Sequence, residues 1–145
     1  MKPKLLIVDD NSMLRDIIRS VLESKFPALR ILEAGDGKEA FVQIHNHLPN
    51  VILMDIHLPS ENGLKLTRKI KDLYPKIAII IFTSYDLPEY RKAAFENGAE
   101  FFLSKSSRDE RKLNTVVEFI LADGLDAAIS DLKAGRDKAV AKFRK

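Results

Sequence analysis

The chain has 145 residues, 46% of them hydrophobic, which is enough for one domain with its own core. The absence of cysteine excludes disulfides, thiolate metal sites and cysteine nucleophiles. The formal net charge of +3 arises in residues 124–145, where six Lys and Arg face three Asp, so the neutral remainder gives no support to a nucleic-acid footprint. Without a signal peptide or an apolar run near the roughly 18 residues of a membrane span, we expect a cytoplasmic protein with no membrane partner.

Short apolar runs alternate five times with segments of helical spacing. Strands are predicted at residues 5–8, 30–33, 51–54, 77–82 and 100–103. Helices are predicted from about residue 12 to just before residue 27, and at 38–47, 64–73, 88–97 and 110–122. The first helix has Asn11 or Ser12 as its N-cap and carries one apolar face made of Leu14, Ile17, Ile18, Val21 and Leu22.

The third and fourth strands are apolar without alternation, as in strands that helices cover on both faces. This βα repeat predicts an α/β fold with a doubly wound parallel sheet of five strands and five helices. Ligands of such sheets bind beyond the carboxyl ends of the strands. Candidate functional residues are therefore those that directly follow the strands.

Charged and hydroxyl side chains follow four of the five predicted strands. Asp9 and Asp10 follow the first, Asp55 the third, Thr83 the fourth and Lys105 the fifth. Clustered carboxylates need a compensating cation, and Mg²⁺ prefers such oxygen ligands. The blander interpretation is that the aspartates only cap a helix and that the lysine is solvated. The whole constellation favours a magnesium site.

These residues stand in motifs that resemble the receiver domains of two-component response regulators. The motifs are the acidic pair Asp9 and Asp10, the stretch DIHLPSENG that starts at Asp55, FTS around Thr83, and GAEFFLSK ending at Lys105. The resemblance covers about residues 3–122. It implies a CheY-like, flavodoxin-like sheet of order 2-1-3-4-5 and divides the chain into a receiver domain, residues 1–123, and a helical tail, residues 124–145.

The resemblance also implies roles for single residues. Asp55 would accept a phosphoryl group from the phosphohistidine of a histidine kinase or phosphotransfer protein. Asp10 would bind Mg²⁺ directly, Asp9 through water, and His57 through its backbone carbonyl. Lys105 and the metal would offset the charge of the phosphoryl oxygens. The protein would be a stoichiometric phosphoacceptor and not an enzyme, beyond self-phosphorylation from small donors and self-dephosphorylation.

The switch would use Thr83 and Phe102. The Thr83 hydroxyl would bond the phosphoryl group and Phe102 would turn inward, which changes the surface of helix four, strand five and helix five that a downstream protein reads. Phe102 lacks the hydroxyl of the tyrosine found in relatives, and a purely structural role in the core is the alternative. His57 and Tyr85 flank the expected path of the hydrolytic water, and Tyr85 would slow dephosphorylation by its bulk.

One further residue departs from the family pattern, and two histidines lie near a predicted helix end. Ser106 follows Lys105 where many receivers have proline after a cis peptide, so the geometry of that peptide is left open. We interpret His45 and His47, near a helix end, as residues that interact favourably with the helix dipole and not as metal ligands.

The tail repeats residues at coiled-coil spacing, namely Leu125, Ile129, Leu132, Arg136, Ala139 and Phe143. It would form a dimer, dock on a partner or pack on its own receiver, and a dimer through helix four, strand five and helix five is a further alternative. The 22 residues are too few for a DNA-binding domain, so direct DNA binding is not expected.

A phosphorylation-dependent switch in a two-component phosphorelay is the leading functional hypothesis. An aspartate-dependent phosphatase is the second, but such enzymes use an acid two residues after the nucleophile, where this chain has Asn11 after Asp9. A receiver-shaped scaffold that is never phosphorylated is the third.

Overall fold

Five strands alternate with five helices in the computed structural model, which describes residues 2–123 without the side chains of 107–110 and 123. The strands are β1 (Lys4–Val8), β2 (Arg30–Ala34), β3 (Val51–Met54), β4 (Ala78–Thr83) and β5 (Phe101–Ser104). The helices are α1 (Ser12–Lys25), α2 (Gly37–His47), α3 (Gly63–Leu73), α4 (Pro88–Glu96) and α5 (Ser107–Asp123). None of the described helices is long and apolar enough to cross a membrane.

The strands form one parallel sheet in the order β2-β1-β3-β4-β5, which confirms the predicted topology. β2 pairs with one side of β1, and the chain then crosses over so that β3 pairs with the other side of β1. The carboxyl ends of β1 and β3 therefore open onto the crevice where ligands of doubly wound sheets bind.

Both faces of the sheet are covered, as the apolar strands predicted. One core lies between the sheet and the helices α1 and α5, and includes Ile18, Leu22 and Val117. The other lies beneath α2, α3 and α4, and includes Ile44 and Ile70. Residues of β3 and β4 alternate between the two cores, which explains why both strands are apolar throughout.

Side chains cap three of the helices at the edge of the sheet where the site lies. Asn11 accepts a hydrogen bond from the backbone N–H of Leu14, as predicted for α1. Asp36 caps α2, and Asn62 caps α3. Helix α5 begins at Ser107, three residues before its predicted start, because its first polar residues carry no apolar spacing from which a helix is recognised.

The apolar face of α1 is only partly covered. Ile18 and Leu22 are buried, but Ile17 is 55% exposed and Val21 is 46% exposed. The predicted apolar face is therefore covered by the rest of the domain only in part. The sheet contacts a narrower strip of the helix than the apolar spacing marks out.

Candidate functional site

Backbone hydrogen bonds join the ends of all five strands at one edge of the sheet. The N–H of Asp9 donates to the carbonyl of Ala34 at the end of β2, and the N–H of Asp55 donates to Val8 of β1. On the other side, the N–H of Lys105 donates to the carbonyl of Thr83, at 2.8 Å. Each residue thus continues the ladder of its strand by one bond, which fixes where its side chain starts.

Three carboxylates meet at this edge. Asp9, Asp10 and Asp55 each present an oxygen within 4.8 Å of the others. Asp9 is 2% exposed and Asp55 is 8% exposed, whereas Asp10 is open to solvent. Like charges this close and this poorly solvated repel one another. The donor set of carboxylate oxygens fits a hard divalent cation, so the cluster can hold a metal ion.

The ammonium of Lys105 lies between two of the acids. Its Nζ is 2.5 Å from Oδ2 of Asp9 and 3.3 Å from Oδ2 of Asp55. The other oxygen of Asp9 accepts the backbone N–H of Asn11, and Oδ1 of Asp55 accepts that of Ile56, both at 2.9 Å. The single positive charge of Lys105 compensates only part of the negative charge of the three carboxylates. The cluster therefore carries an excess of negative charge.

The electrostatics single out Asp55. Burial raises the pKa of its carboxyl group, the Lys105 ammonium lowers the pKa, and the Asp9 charge raises it again, with a net shift above the usual value. The charged form of Asp55 is therefore disfavoured at this edge, and a further positive group beside it would stabilise that form.

Gly63 closes the loop that carries Asp55. Its N–H donates to the carbonyl of Ile56 at 2.7 Å, and His57 and Asn62 form an isolated antiparallel bridge. A Cβ atom at position 63 would overlap the carbonyl oxygen of Asp55. Only glycine allows this approach, so the loop that follows Asp55 folds back on the residue itself.

Arg15 and Glu33 form a second support, which the sequence analysis missed. Arg15 of α1 donates to the backbone carbonyl of Asp9 at 2.5 Å and to Glu33 of β2 at 2.9 Å. Arg19 donates to the other oxygen of Glu33 at 2.9 and 2.5 Å. Partial burial raises the pKa of Glu33, but the hydrogen bonds and charges of the two arginines outweigh it and place the pKa below its usual value. Because Arg15 is bonded both to Glu33 and to the carbonyl of Asp9, this network supports the turn that carries Asp9 and Asp10.

We expect Glu33→Gln to lower the free energy of unfolding by about 1 kcal/mol at pH 7. Since the pKa of Glu33 is lowered in the folded state, its stabilisation is present above the unfolded pKa and is lost as pH falls through the folded pKa. The difference between variant and wild type should therefore shrink below about pH 4 in urea titrations. Glu23→Gln, at an exposed carboxylate 4.0 Å from Arg19, is the control and should show little change at either pH. A difference in the free energy of unfolding between Glu33→Gln and the wild type that stays constant with pH would contradict the lowered pKa of Glu33.

Thr83 and the aromatic residues beside it line the same edge. Thr83 is fully buried, and its Oγ1 accepts the N–H of Tyr85 at 3.2 Å, which leaves its O–H able to donate. The ring of Tyr85 lies 3.9 Å from that of His57, centroid to centroid, and 6.2 Å from that of Tyr90. His57 and Tyr85, two residues beyond Asp55 and Thr83, thus meet across the ends of β3 and β4. We call this pair the aromatic lid.

Phe102 lies inside the protein. It is 1% exposed in the core beneath α4, and the guanidinium of Arg91 lies 4.7 Å from the centre of its ring. This inward position agrees with a core residue and with the inward position predicted for the switch, so the switching role stays a prediction.

Four other residues considered from the sequence, Ser106, Asn11, His45 and His47, have positions that the structure describes. The peptide between Lys105 and Ser106 is trans, as are the other described peptides. Asn11, at the position where a phosphatase would carry its acid, caps α1. His45 and His47 lie in the last turn of α2.

A parallel sheet of this order, with an acid cluster and a lysine at its carboxyl edge, is the architecture of a receiver domain. The family model described as response regulator receiver domain matches residues 5–118. The chain belongs to this family. Receiver domains are generally signalling switches of two-component systems and bind Mg²⁺ at their aspartate cluster, for which Asp9, Asp10 and Asp55 are the matching group here.

Individual relatives agree with the assignment. The oxygen regulatory protein NreC of Staphylococcus haemolyticus is 34% identical over 114 residues, which make up 78% of this chain and 52% of that protein. The chain spans about half the length of the curated relatives it matches. A LuxR-family response regulator from Aurantimonas sp. SI85-9A1 superposes with a TM-score of 0.77 at 28% identity, covering 95% of this chain and 100% of that one. A CheY-like receiver protein from Methanospirillum hungatei gives 0.76 at 26% identity, covering 90% and 99%.

Proposed function

We propose that the protein is a phosphorylation-dependent switch in which Asp55 accepts a phosphoryl group from a phosphohistidine. The observation that carries the proposal is the placement of Lys105, whose ammonium contacts both Asp55 and the acid beside it. A nucleophile and a cation at one sheet edge are what phosphoryl transfer requires, since the transferred group spreads its charge over its oxygens. The histidine kinase or phosphotransfer protein that supplies the group would dock at this edge.

Among the three acids, Asp55 is the best nucleophile. Asp9 is held more tightly than Asp55, because its Oδ2 lies 2.5 Å from Lys105 Nζ, against 3.3 Å for Oδ2 of Asp55, and its Oδ1 accepts a backbone N–H. Asp10 faces solvent. Oδ1 of Asp55 is held by Ile56 N–H, which orients the group and leaves Oδ2 beside Lys105. In the reaction, an Asp55 oxygen forms a bond to phosphorus while the bond from phosphorus to the donor imidazole nitrogen breaks, and the nitrogen keeps the electron pair.

Asp10, Asp55 and the backbone carbonyl of His57 would hold Mg²⁺ directly, and Asp9 would hold it through water. Bound there, the ion supplies positive charge that offsets the carboxylates and the phosphoryl oxygens. Lys105 then bonds a phosphoryl oxygen.

The Thr83 hydroxyl bonds another phosphoryl oxygen and draws its loop toward the site, and Phe102 completes the change on β5. The response is read by a downstream protein on α4, β5 and α5. In this proposal residues 1–123 form the switch, and residues 124–145 follow as the tail.

Intact-mass spectrometry after incubation with acetyl phosphate and Mg²⁺ tests the proposal. The wild type should gain one phosphoryl group, and Asp55→Asn should gain none. Asp10→Asn should lose most of the gain, whereas Asp16→Asn, at an exposed acid of α1, is the control and should behave as the wild type. No adduct in the wild type without phosphate release would favour the scaffold hypothesis. Release without an adduct would favour a phosphatase.

We expect Tyr85→Ala to shorten the phosphorylated lifetime several-fold. The ring of Tyr85 lies against His57 over the ends of β3 and β4 and would exclude water from the acyl phosphate. Loss of the adduct over time, followed by mass spectrometry after removal of the donor, measures the rate. Leu87→Ala changes a side chain of nearly equal exposure, 47% against 45%, and should leave the rate unchanged. An unchanged rate in Tyr85→Ala would show that the lid does not control hydrolysis.

A further inference from the structure

A groove between α1 and α5 exposes apolar side chains that the sheet does not cover. Ile17 and Val21 of α1 form one wall with exposures of 55% and 46%, and Leu113 belongs to the α5 wall. The groove has a volume of about 240 Å³, and Phe82 of β4 also contributes to its lining. Exposed apolar side chains that adjoin one another mark a contact surface.

The α5 wall also contains a buried oxygen without a hydrogen bond. Oδ1 of Asn114, which lines the groove, has no hydrogen-bond partner among the residues that the structure describes. A buried acceptor left in this way costs about 1–3 kcal/mol. Because this oxygen is enclosed, a donor in the groove can satisfy it only when the Asn114 side chain turns.

We propose that residues 124–145 of the same chain pack into this groove as an intramolecular strap. These residues follow directly on the described part of α5, which reaches Asp123 and forms one wall of the groove. Leu125, Ile129 and Leu132 are separated by four and three residues, so in a helix they share one face and span about 10 Å.

The apolar stripe of α1 has a matching length. Met13, Ile17 and Val21 are all exposed and follow one another at intervals of four residues, which gives a stripe of about 12 Å along the helix. Two apolar helical faces of similar length, one fixed on the domain and one at the end of the adjacent helix, can cover each other.

The sequence provides a turn where the strap must begin. Leu113, Val117 and Ile120 are the buried face of α5, and the next position of that face is Gly124, which has no side chain to continue it. Asp123 and Gly124 form a dipeptide typical of turns, and glycine favours the end of a helix. Returning from Asp123 to the level of Asn114 needs about 13 Å, or nine helical residues, and 22 are present.

The strap also matches the chemistry of the groove better than a second copy does. With a turn of the Asn114 side chain, Ser130, Lys133 or Arg136 of the tail would offer a donor to its Oδ1. Direct attachment gives the tail an effective concentration in the millimolar range, whereas a few exposed side chains do not reach the roughly 800 Å² per partner of a stable interface between chains. The proposal goes beyond the phosphorylation switch and does not depend on it.

Cysteine cross-linking in the full chain tests the strap, because the natural sequence has no cysteine. The test variant is Ile17→Cys combined with Ile129→Cys. The control is Val42→Cys combined with Ile129→Cys, since Val42 is also 55% exposed but lies on α2, on the other face of the sheet. Mild oxidation is followed by intact mass and by non-reducing gels at several protein concentrations.

We expect the test pair to form a disulfide within one chain about tenfold faster or more than the control pair, independent of protein concentration. Disulfides between chains, with a rate that rises with concentration, would overturn the strap in favour of a second copy in the groove. Equal rates in the two variants would overturn it in favour of a tail that packs elsewhere. Circular dichroism of both variants establishes that the exposed substitutions leave the fold intact.

Discussion

Gly63→Ala is expected to lower the free energy of unfolding by roughly 3 kcal/mol. The added Cβ would overlap the carbonyl oxygen of Asp55 and lie 3.0 Å from Cα of Ile56, both of them backbone atoms. Backbone cannot move aside as the end of a side chain can, because Asp55 is bonded to β1 through its own N–H. Urea denaturation followed by circular dichroism measures the change.

Gly35→Ala provides the matched control. There the nearest atoms to an added Cβ are the side chains of Arg15 and Glu39 at 3.6 and 3.8 Å, which is ordinary contact. The free energy of unfolding of this variant should lie within about 1 kcal/mol of that of the wild type. Equal midpoints for the two alanine variants would mean that the loop from Asp55 to Gly63 does not close as described.

Lys105→Met is expected to slow phosphorylation of Asp55 by about 100-fold or more and to destabilise the fold by about 3 kcal/mol. The methionine fills similar space but removes the cation that contacts both Asp9 and Asp55. Asp9 then stays buried with its charge uncompensated. The pKa of Asp55, which Lys105 lowers, rises further above its usual value.

The sign of the pH effect follows from that shift. In the proposed mechanism the Asp55 carboxylate is the nucleophile, so phosphorylation should decline as pH falls through the pKa of Asp55. In Lys105→Met this decline should occur at higher pH. Adduct formation from acetyl phosphate across a pH series, with urea titrations alongside, provides the measurements. Lys65→Met, at an exposed lysine of α3, should match the wild type in both. A normal phosphorylation rate in Lys105→Met would contradict the role of its ammonium.

The strand ends of the site could be predicted because each follows a run of apolar residues, and parallel strands bring their carboxyl ends to one edge. Asp9, Asp10, Asp55 and Lys105 were found in this way and do lie together. The network of Glu33 with the arginines of α1 could not be predicted with equal ease. It depends on β2 lying beside β1 and on the rotation of α1 about its axis, and neither is encoded in local spacing.

The exposure of Ile17 and Val21 shows a second limit of the sequence. Apolar spacing indicates the direction of a helical face, but the width of the face that the sheet covers depends on how α1 and α5 sit side by side. Gly63 shows a third limit. Its close approach to Asp55 depends on the path of a loop, which is set by the Ile56 carbonyl and the bridge between His57 and Asn62.

The hydrogen bond from Tyr85 N–H to the Thr83 hydroxyl joins two tasks that are separate in principle. In the proposed mechanism Thr83 senses the phosphoryl group and Tyr85 shields it from water. Because the two residues share this bond, a displacement of Thr83 is passed to the lid. The size of the response to phosphorylation and the lifetime of the phosphorylated state are then coupled. A substitution that weakens the response of Thr83 should therefore also shorten that lifetime.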